Sequence, residues 1–291
     1  MRKTKQRVAK AGKRGQPAAG RPKFAPGEHI RVVPLHQPKP VVSKGGLARG
    51  RLKGTTDDLL AGRVEIAAAA AHLNYNGGTL LTNVQVFTIF WGRKWGTSAA
   101  ITLKGKLNAF FKTIVASAAI DQLKEYNVPG KSIGRGTLTG TKTITAQAPT
   151  GSVTDTTIRT RLKGWIAAGT VPKTTSNSLY FIYLDPGIVS ILGGSRSCQS
   201  FCGYHNNVGS VYYAVMPYPS CTGCLGGMAA FDALTGTSSH ELCEAITDPV
   251  PGEGWYDDVN GEIGDICAWS FKKVAGYTVQ LEWSNAKNKC V

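Results

Sequence analysis

The sequence predicts an α/β protein, a single mixed-sheet domain behind a basic and disordered N-terminal arm. Three observations lead there. Short apolar runs suited to buried strands alternate with longer segments of helical period. At 291 residues and 42% hydrophobic content the chain can bury one good core. The charge, finally, is gathered at one end: the first 53 residues hold 15 of the 34 Lys and Arg but one of the 18 Asp and Glu, so +14 of the formal +16 lies there.

From Met1 to Lys53, Lys and Arg are mixed with Gly and Pro without hydrophobic periodicity, which predicts disorder. Such an arm attracts polyanions: nucleic acid, acidic surface polysaccharide or anionic lipid. The alternative is a solvated extension with no partner. Residues 54–76 read as a linker and 77–291 as the domain. Within it, Val84 to Trp91 is an apolar run fit for a buried strand, and Leu107, Phe110, Phe111, Ile114 and Val115 give the stretch from Leu103 to Tyr126 a helical spacing. A second helix is expected from Thr154 to Ala168. Strands follow at Leu179 to Leu184, ended by Asp185-Pro186-Gly187, and at Val211 to Met216, ended by Pro217. Met228 to Leu234 reads as a helical turn, and Tyr277 to Trp283 alternates as a last strand. Phe87, Phe90 and Phe181 are core; Tyr204, Tyr212, Tyr213 and Tyr218 suit either the core or a groove for a peptide or sugar. No run approaches the roughly 18 apolar residues of a membrane helix, and the basic start is not followed by the apolar stretch of a signal peptide.

Chemistry concentrates in the segment Ser238 to Pro249. Ser238 and Glu241 fit a capping box and Pro249 a stop, which predicts a helix with Leu242 and Ile246 as its apolar stripe. Residues four apart stack on a helix, so His240 and Glu244, and with them Asp248, share one side. The pattern resembles the HExxH helix of zinc peptidases with Glu244 in place of the second histidine. The domain is therefore expected to be zincin-like around the His240 helix. Glu241, beside the histidine, is the candidate catalytic base. The plainer alternative is a capped surface helix with solvated side chains.

Downstream, Gly254 to Cys267 is rich in oxygen donors and glycine turns, and Glu262 or Asp265 could supply a further ligand. On a regular strand these two face opposite sides, so at most one ligates unless the backbone turns at Gly264. Zn²⁺ is the expected ion, although a carboxylate-rich set also suits Ca²⁺. With metal bound, Glu241 is placed to take a proton from water attacking an amide. Glu244 in place of a neutral histidine adds negative charge and weakens the ion as a Lewis acid. His205 reads as an extra ligand or as a satisfied structural histidine. The seven cysteines all lie from Cys198 onward. Cys198/Cys202 and Cys221/Cys224 fit either a four-thiolate zinc site or two disulfides, and Cys267 and Cys290 are candidates for another bridge. Cys243 is the odd thiol, a buried small hydrophobe.

Several ordered motifs together resemble the Exordium, or phosphate-induced protein 1, family of plant extracellular proteins with bacterial relatives. They are Gly77-Gly78-Thr79-Leu80-Leu81-Thr82 leading into Val86-Phe87-Thr88-Ile89-Phe90-Trp91-Gly92, then Cys202-Gly203-Tyr204-His205 and Cys221-Thr222-Gly223-Cys224. Ser239-His240-Glu241-Leu242-Cys243-Glu244, Trp255-Tyr256 and Glu262-Ile263-Gly264-Asp265-Ile266-Cys267 complete the set. The resemblance implies secretion, a cell-wall or matrix location and a growth-related role. It favours disulfides over thiolate zinc, and Asp265 or Glu262 over Asp248 as a ligand, because plant members carry Asn-Pro at that place. Two functions stay open at this level: an extracellular metal-dependent peptidase acting on peptides, or a non-catalytic protein binding a cell-surface polymer, with a structural ion or none.

Overall fold

Three of the four strands expected from the sequence form the middle of a six-stranded mixed sheet. In a computed structural model, which describes residues 32–37 and 71–291, its members are β1 (Val33–Pro34), β2 (Asn83–Trp91), β3 (Gly134–Ile144), β4 (Ser178–Leu184), β5 (Phe201–Val208) and β6 (Val211–Met216). Their order is β1-β5-β6-β4-β2-β3. β2 runs parallel to β3 and β4, and β6 parallel to β4. β5 returns antiparallel to β6, and β1 adds antiparallel to β5.

Because side chains alternate across a strand, one sheet feeds two cores. Leu179, Phe181 and Tyr183 of β4 join Val84, Val86 and Phe90 on one face, under helices α1 (Ser98–Ile114) and α3 (Ala230–Thr247). Tyr180, Ile182 and Leu184 join Phe87, Ile89 and Trp91 on the other, under α2 (Asp155–Ala167) through Ile158 and Leu162. A strand covered on both faces has no solvated side, which is why β4 reads as an apolar run and β2 as one interrupted only by Gln85 and Thr88 from Val84 to Trp91. Each such side chain contributes about 1.5–3 kcal/mol by burial. α2 starts where Thr154 accepts the Thr157 N–H at 3.2 Å, an N-cap of the usual kind.

Several expectations are corrected. The His240 helix does not begin at a capping box: α3 starts at Ala230, taking in residues 230–234 of the turn expected at Met228 to Leu234, and every residue from Ala233 to Thr247 is buried. Ser238 lies mid-helix, 2.7 Å from the Tyr183 hydroxyl. Ser239 Oγ donates to Gly236 O and accepts the Gln280 N–H, both at 2.8 Å. Small hydroxyl side chains that bond their own helix or a neighbour can sit inside a packed helix, and the surface-helix alternative fails with them. The stretch from Leu103 to Tyr126 divides into α1, a helical turn at Ala118–Asp121 and a 3-10 turn at Gln122–Tyr126. The last expected strand divides into Tyr277–Gln280 and Trp283–Ser284, and its polar residues Thr278, Gln280 and Glu282 are buried.

The arm boundary also moves. Val33 and Pro34, inside the segment expected to be disordered, pair with Gly203 and Phe201, and the Trp269 indole donates to Pro34 O at 2.8 Å. The rest of residues 1–53, like most of the expected linker 54–76, lies outside the described residues. The linker's last residues belong to the domain: the backbone N–H of His72 donates to Asp257 at 2.7 Å and that of Leu73 to Asn285 at 3.0 Å.

Disulfides join Cys198 to Cys221, Cys202 to Cys224 and Cys267 to Cys290, so the four-thiolate zinc reading is overturned. Cys243 is a free, buried thiol. Three disulfides fit an oxidising compartment. Among the described residues no helix is long and apolar enough to cross a membrane.

Candidate metal centre

The interior of the α3 face is acidic. α3 brings His240, Glu241 and Glu244 there, all fully buried, and their i, i+4 spacing sets His240 Nε2 2.8 Å from Glu244 Oε1. β5 contributes His205. Since Tyr204 points into the α2 core, its neighbour must point the other way, and His205 Nδ1 lies 3.1 Å from Glu241 Oε2 and 3.4 Å from Glu244 Oε2.

The third wall is the turn from Glu262 to Cys267. The chain does turn at Gly264, entering a 3-10 helix at Asp265–Cys267, and so both acids reach the cluster. Asp265 Oδ1 stands 3.9 Å from His240 Nε2, whereas Glu262 Oε1 stands 3.4 Å from His205 Nε2. Gly264 is required by close approach: a Cβ there would sit 2.8 Å from His240 Nδ1 and 2.9 Å from Glu244 Oε1. The Asp265 N–H donates to Glu244 Oε1 at 3.1 Å.

Asp248, the remaining candidate, is otherwise engaged. Its two carboxylate oxygens accept the Gly252 and Gly254 N–H groups, both at 2.6 Å, and its carbonyl oxygen lies 3.0 Å from His205 Nε2. It closes the end of α3 and orients His205. A carbonyl oxygen only accepts, so His205 Nε2 carries a proton and, in the neutral ring, Nδ1 presents a lone pair to Glu241 and Glu244. Glu282, which sequence reasoning passed over inside an alternating segment, is 1% exposed and belongs to the same acidic interior.

The electrostatics are severe. Glu241, Glu244, Glu262 and Glu282 are at most 1% exposed and the Asp265 side chain 12%. Among the described residues their charged neighbours within 4.0 Å are the two histidines and no Lys or Arg. Glu241 Oε1, Glu244 Oε2, His240 Nδ1 and both oxygens of Glu262 and of Glu282 lack any hydrogen-bond partner there. Burial pushes Glu262 and Glu282 well above the carboxylate range, and burial with the Glu244 charge pushes Asp265 to about 7. Glu244 goes the other way: burial opposes its ionisation, but His240 and His205 hold it down at about 2. For His205 burial opposes the charge, yet Glu262, Glu241 and Glu244 drive its pKa well above the usual value.

Two donor sets have all their ligand atoms within 4.8 Å of one another: His240, Glu241 and Glu244, and His205, Glu244 and Glu262. His205 is the donor least legible in the sequence. Its signal was the alternation of β5, which places it opposite Tyr204. Tyr204, Tyr212 and Tyr213 settle as core and Tyr218 packs half-buried against it; the hydroxyls of Tyr204 and Tyr213 bond Asp155 Oδ1 at 3.0 and 2.6 Å. Compared with family models, curated proteins and solved structures, the chain matches none of them.

Proposed function

We propose that the chain is an Exordium-like extracellular protein built around a closed divalent metal centre on the His240 helix, serving as a non-catalytic wall or matrix component. The observation that carries this reading is the set of buried, partnerless carboxylate oxygens and imidazole nitrogens converging from α3, β5 and the Glu262–Cys267 turn. Leaving a buried ionised carboxylate unpaired is costly enough that proteins pair it or give it a metal. His240 and Glu244, with Asp265 beside them, suit Zn²⁺, and the oxygen-rich set also accommodates Ca²⁺. Structural metal sites are closed and catalytic ones keep an open position. Here the donors are fully buried apart from the Asp265 edge, which favours the structural role. When bound, the ion supplies the positive charge that the carboxylates lack. Elemental analysis of the purified chain tests the reading: stoichiometric divalent metal is expected in the parent and its loss in His240→Ala, and equal metal in both would sink the site.

One observation favours the peptidase version: Glu241 Oε1 is partnerless beside His240, where it could take a proton from attacking water. Glu241→Gln then removes cleavage of an unfolded protein while keeping metal and fold. A parent without metal-dependent cleavage across a broad peptide library ends that version. The basic arm is proposed to hold polyanions without base or sugar specificity. Deleting Met1 to Arg31, which spares β1, is expected to abolish salt-sensitive retention on an anionic matrix.

A further inference from the structure

We propose that the cluster holds two divalent first-row transition ions bridged by Glu244, one on the His240 side and one on the His205 side. The inference rests on the metal-centre reading and goes beyond it in number and in the role of Glu244. Its two oxygens address different imidazoles: Oε1 lies 2.8 Å from His240 Nε2 and Oε2 3.4 Å from His205 Nδ1. The donor sets built on those imidazoles share Glu244 alone, with Glu241 completing one and Glu262 the other. Carboxylate bridging is how two-metal sites hold ions about 3.5–4 Å apart.

The His205 side needs a cation of its own. With Nε2 turned to the Asp248 carbonyl, Nδ1 meets Glu241 Oε2 at 3.1 Å and Glu244 Oε2 at 3.4 Å. These three atoms need either a proton on Nδ1 or a cation among them, and a divalent ion can take the place of that proton. An ion at His240 alone leaves both Glu262 oxygens partnerless, and they are fully buried. Imidazole suits zinc, iron, copper and nickel, and carboxylate suits manganese, so first-row ions fit the mixed set, and the arrangement assigns Glu241 to ligation.

The test uses the full, oxidised chain, stripped with chelator, loaded with excess Zn²⁺ and gel-filtered before zinc per chain is measured. Two zinc ions are expected in the parent, one in Glu262→Gln, whose His240 set is intact, and well under one in Glu244→Gln. Near-UV circular dichroism checks that the variants fold. Should they not, calorimetric titration of the stripped parent decides alone, with a stoichiometry of two supporting the bridge. One zinc in both parent and Glu262→Gln overturns the second ion and leaves the single metal centre standing. No zinc in the parent overturns both.

Discussion

Adjacent residues of β5 feed two buried polar networks on opposite faces of the sheet, and the two handle charge differently. On the α2 face, Asp155 is 5% exposed and complete: Oδ1 takes the Tyr204 and Tyr213 hydroxyls, and Oδ2 lies 2.9 Å from Arg159 Nε. On the α3 face, His205 and His240 stand among more carboxylates than they can neutralise, and several oxygens lack partners. A charge buried with its own counter-ion needs nothing from outside. A surplus of one sign needs protons or metal, and the convergence of imidazole with carboxylate favours metal.

The contrast is broken most strongly on the complete side. Asp155→Ala leaves two buried hydroxyls without their acceptor, while Arg159, 37% exposed, turns to solvent, so a loss of about 3–5 kcal/mol is expected, equal with and without chelator in a denaturant titration. A chelator-dependent loss would mean that the two faces are coupled. Replacing Cys202 and Cys224 together by Ala removes a closed loop with sequence separation 22 and is expected to cost about 3 kcal/mol, again regardless of metal. Glu262→Gln sharpens the comparison through its sign. It lowers the midpoint of the metal-loaded protein but leaves the stripped protein unchanged or stabilises it by about 1 kcal/mol, because a carboxyl that must take up a proton to stay buried is replaced by a neutral amide. Destabilisation by the same amount in both forms would make Glu262 an ordinary packing residue. Smallest is Thr154→Ala, which removes the α2 cap for about 1 kcal/mol in either form.

The central strands β2 and β4 were legible because coverage on both faces leaves a largely apolar signature in them. β3 was not, since its Gly- and Thr-rich stretch lies at the sheet edge with much of one side exposed. β5 was missed because its face toward α3 is polar for the sake of the cluster. The site helix was found through the spacing of His240 and Glu244, yet its start was misplaced. Ser238 and Glu241 mimic a cap while serving as interior residues, and the stretch from Ala230 to Thr237, with Phe231 and Leu234 among small side chains, carries little periodic signal. His205 and Glu282 come to the site through tertiary packing, 35 and 42 positions from His240 along the chain, and no spacing from His240 announces either. Asp248 followed the helical repeat, but α3 ends there and turns its carboxylate to Gly252 and Gly254.

The central claim, that the α3 face is completed by bound metal, is tested most directly by thermal unfolding of the full oxidised chain loaded with Zn²⁺, stripped with chelator and loaded again. An ion held at a thousand times its Kd contributes about 4 kcal/mol, which in a domain of this size corresponds to a midpoint shift of roughly 8–16 °C. The account predicts a fall of that order on stripping, recovery on adding Zn²⁺ back, and no such cycle in Glu244→Gln. An unchanged midpoint through the whole cycle would contradict it and leave the buried carboxylates protonated.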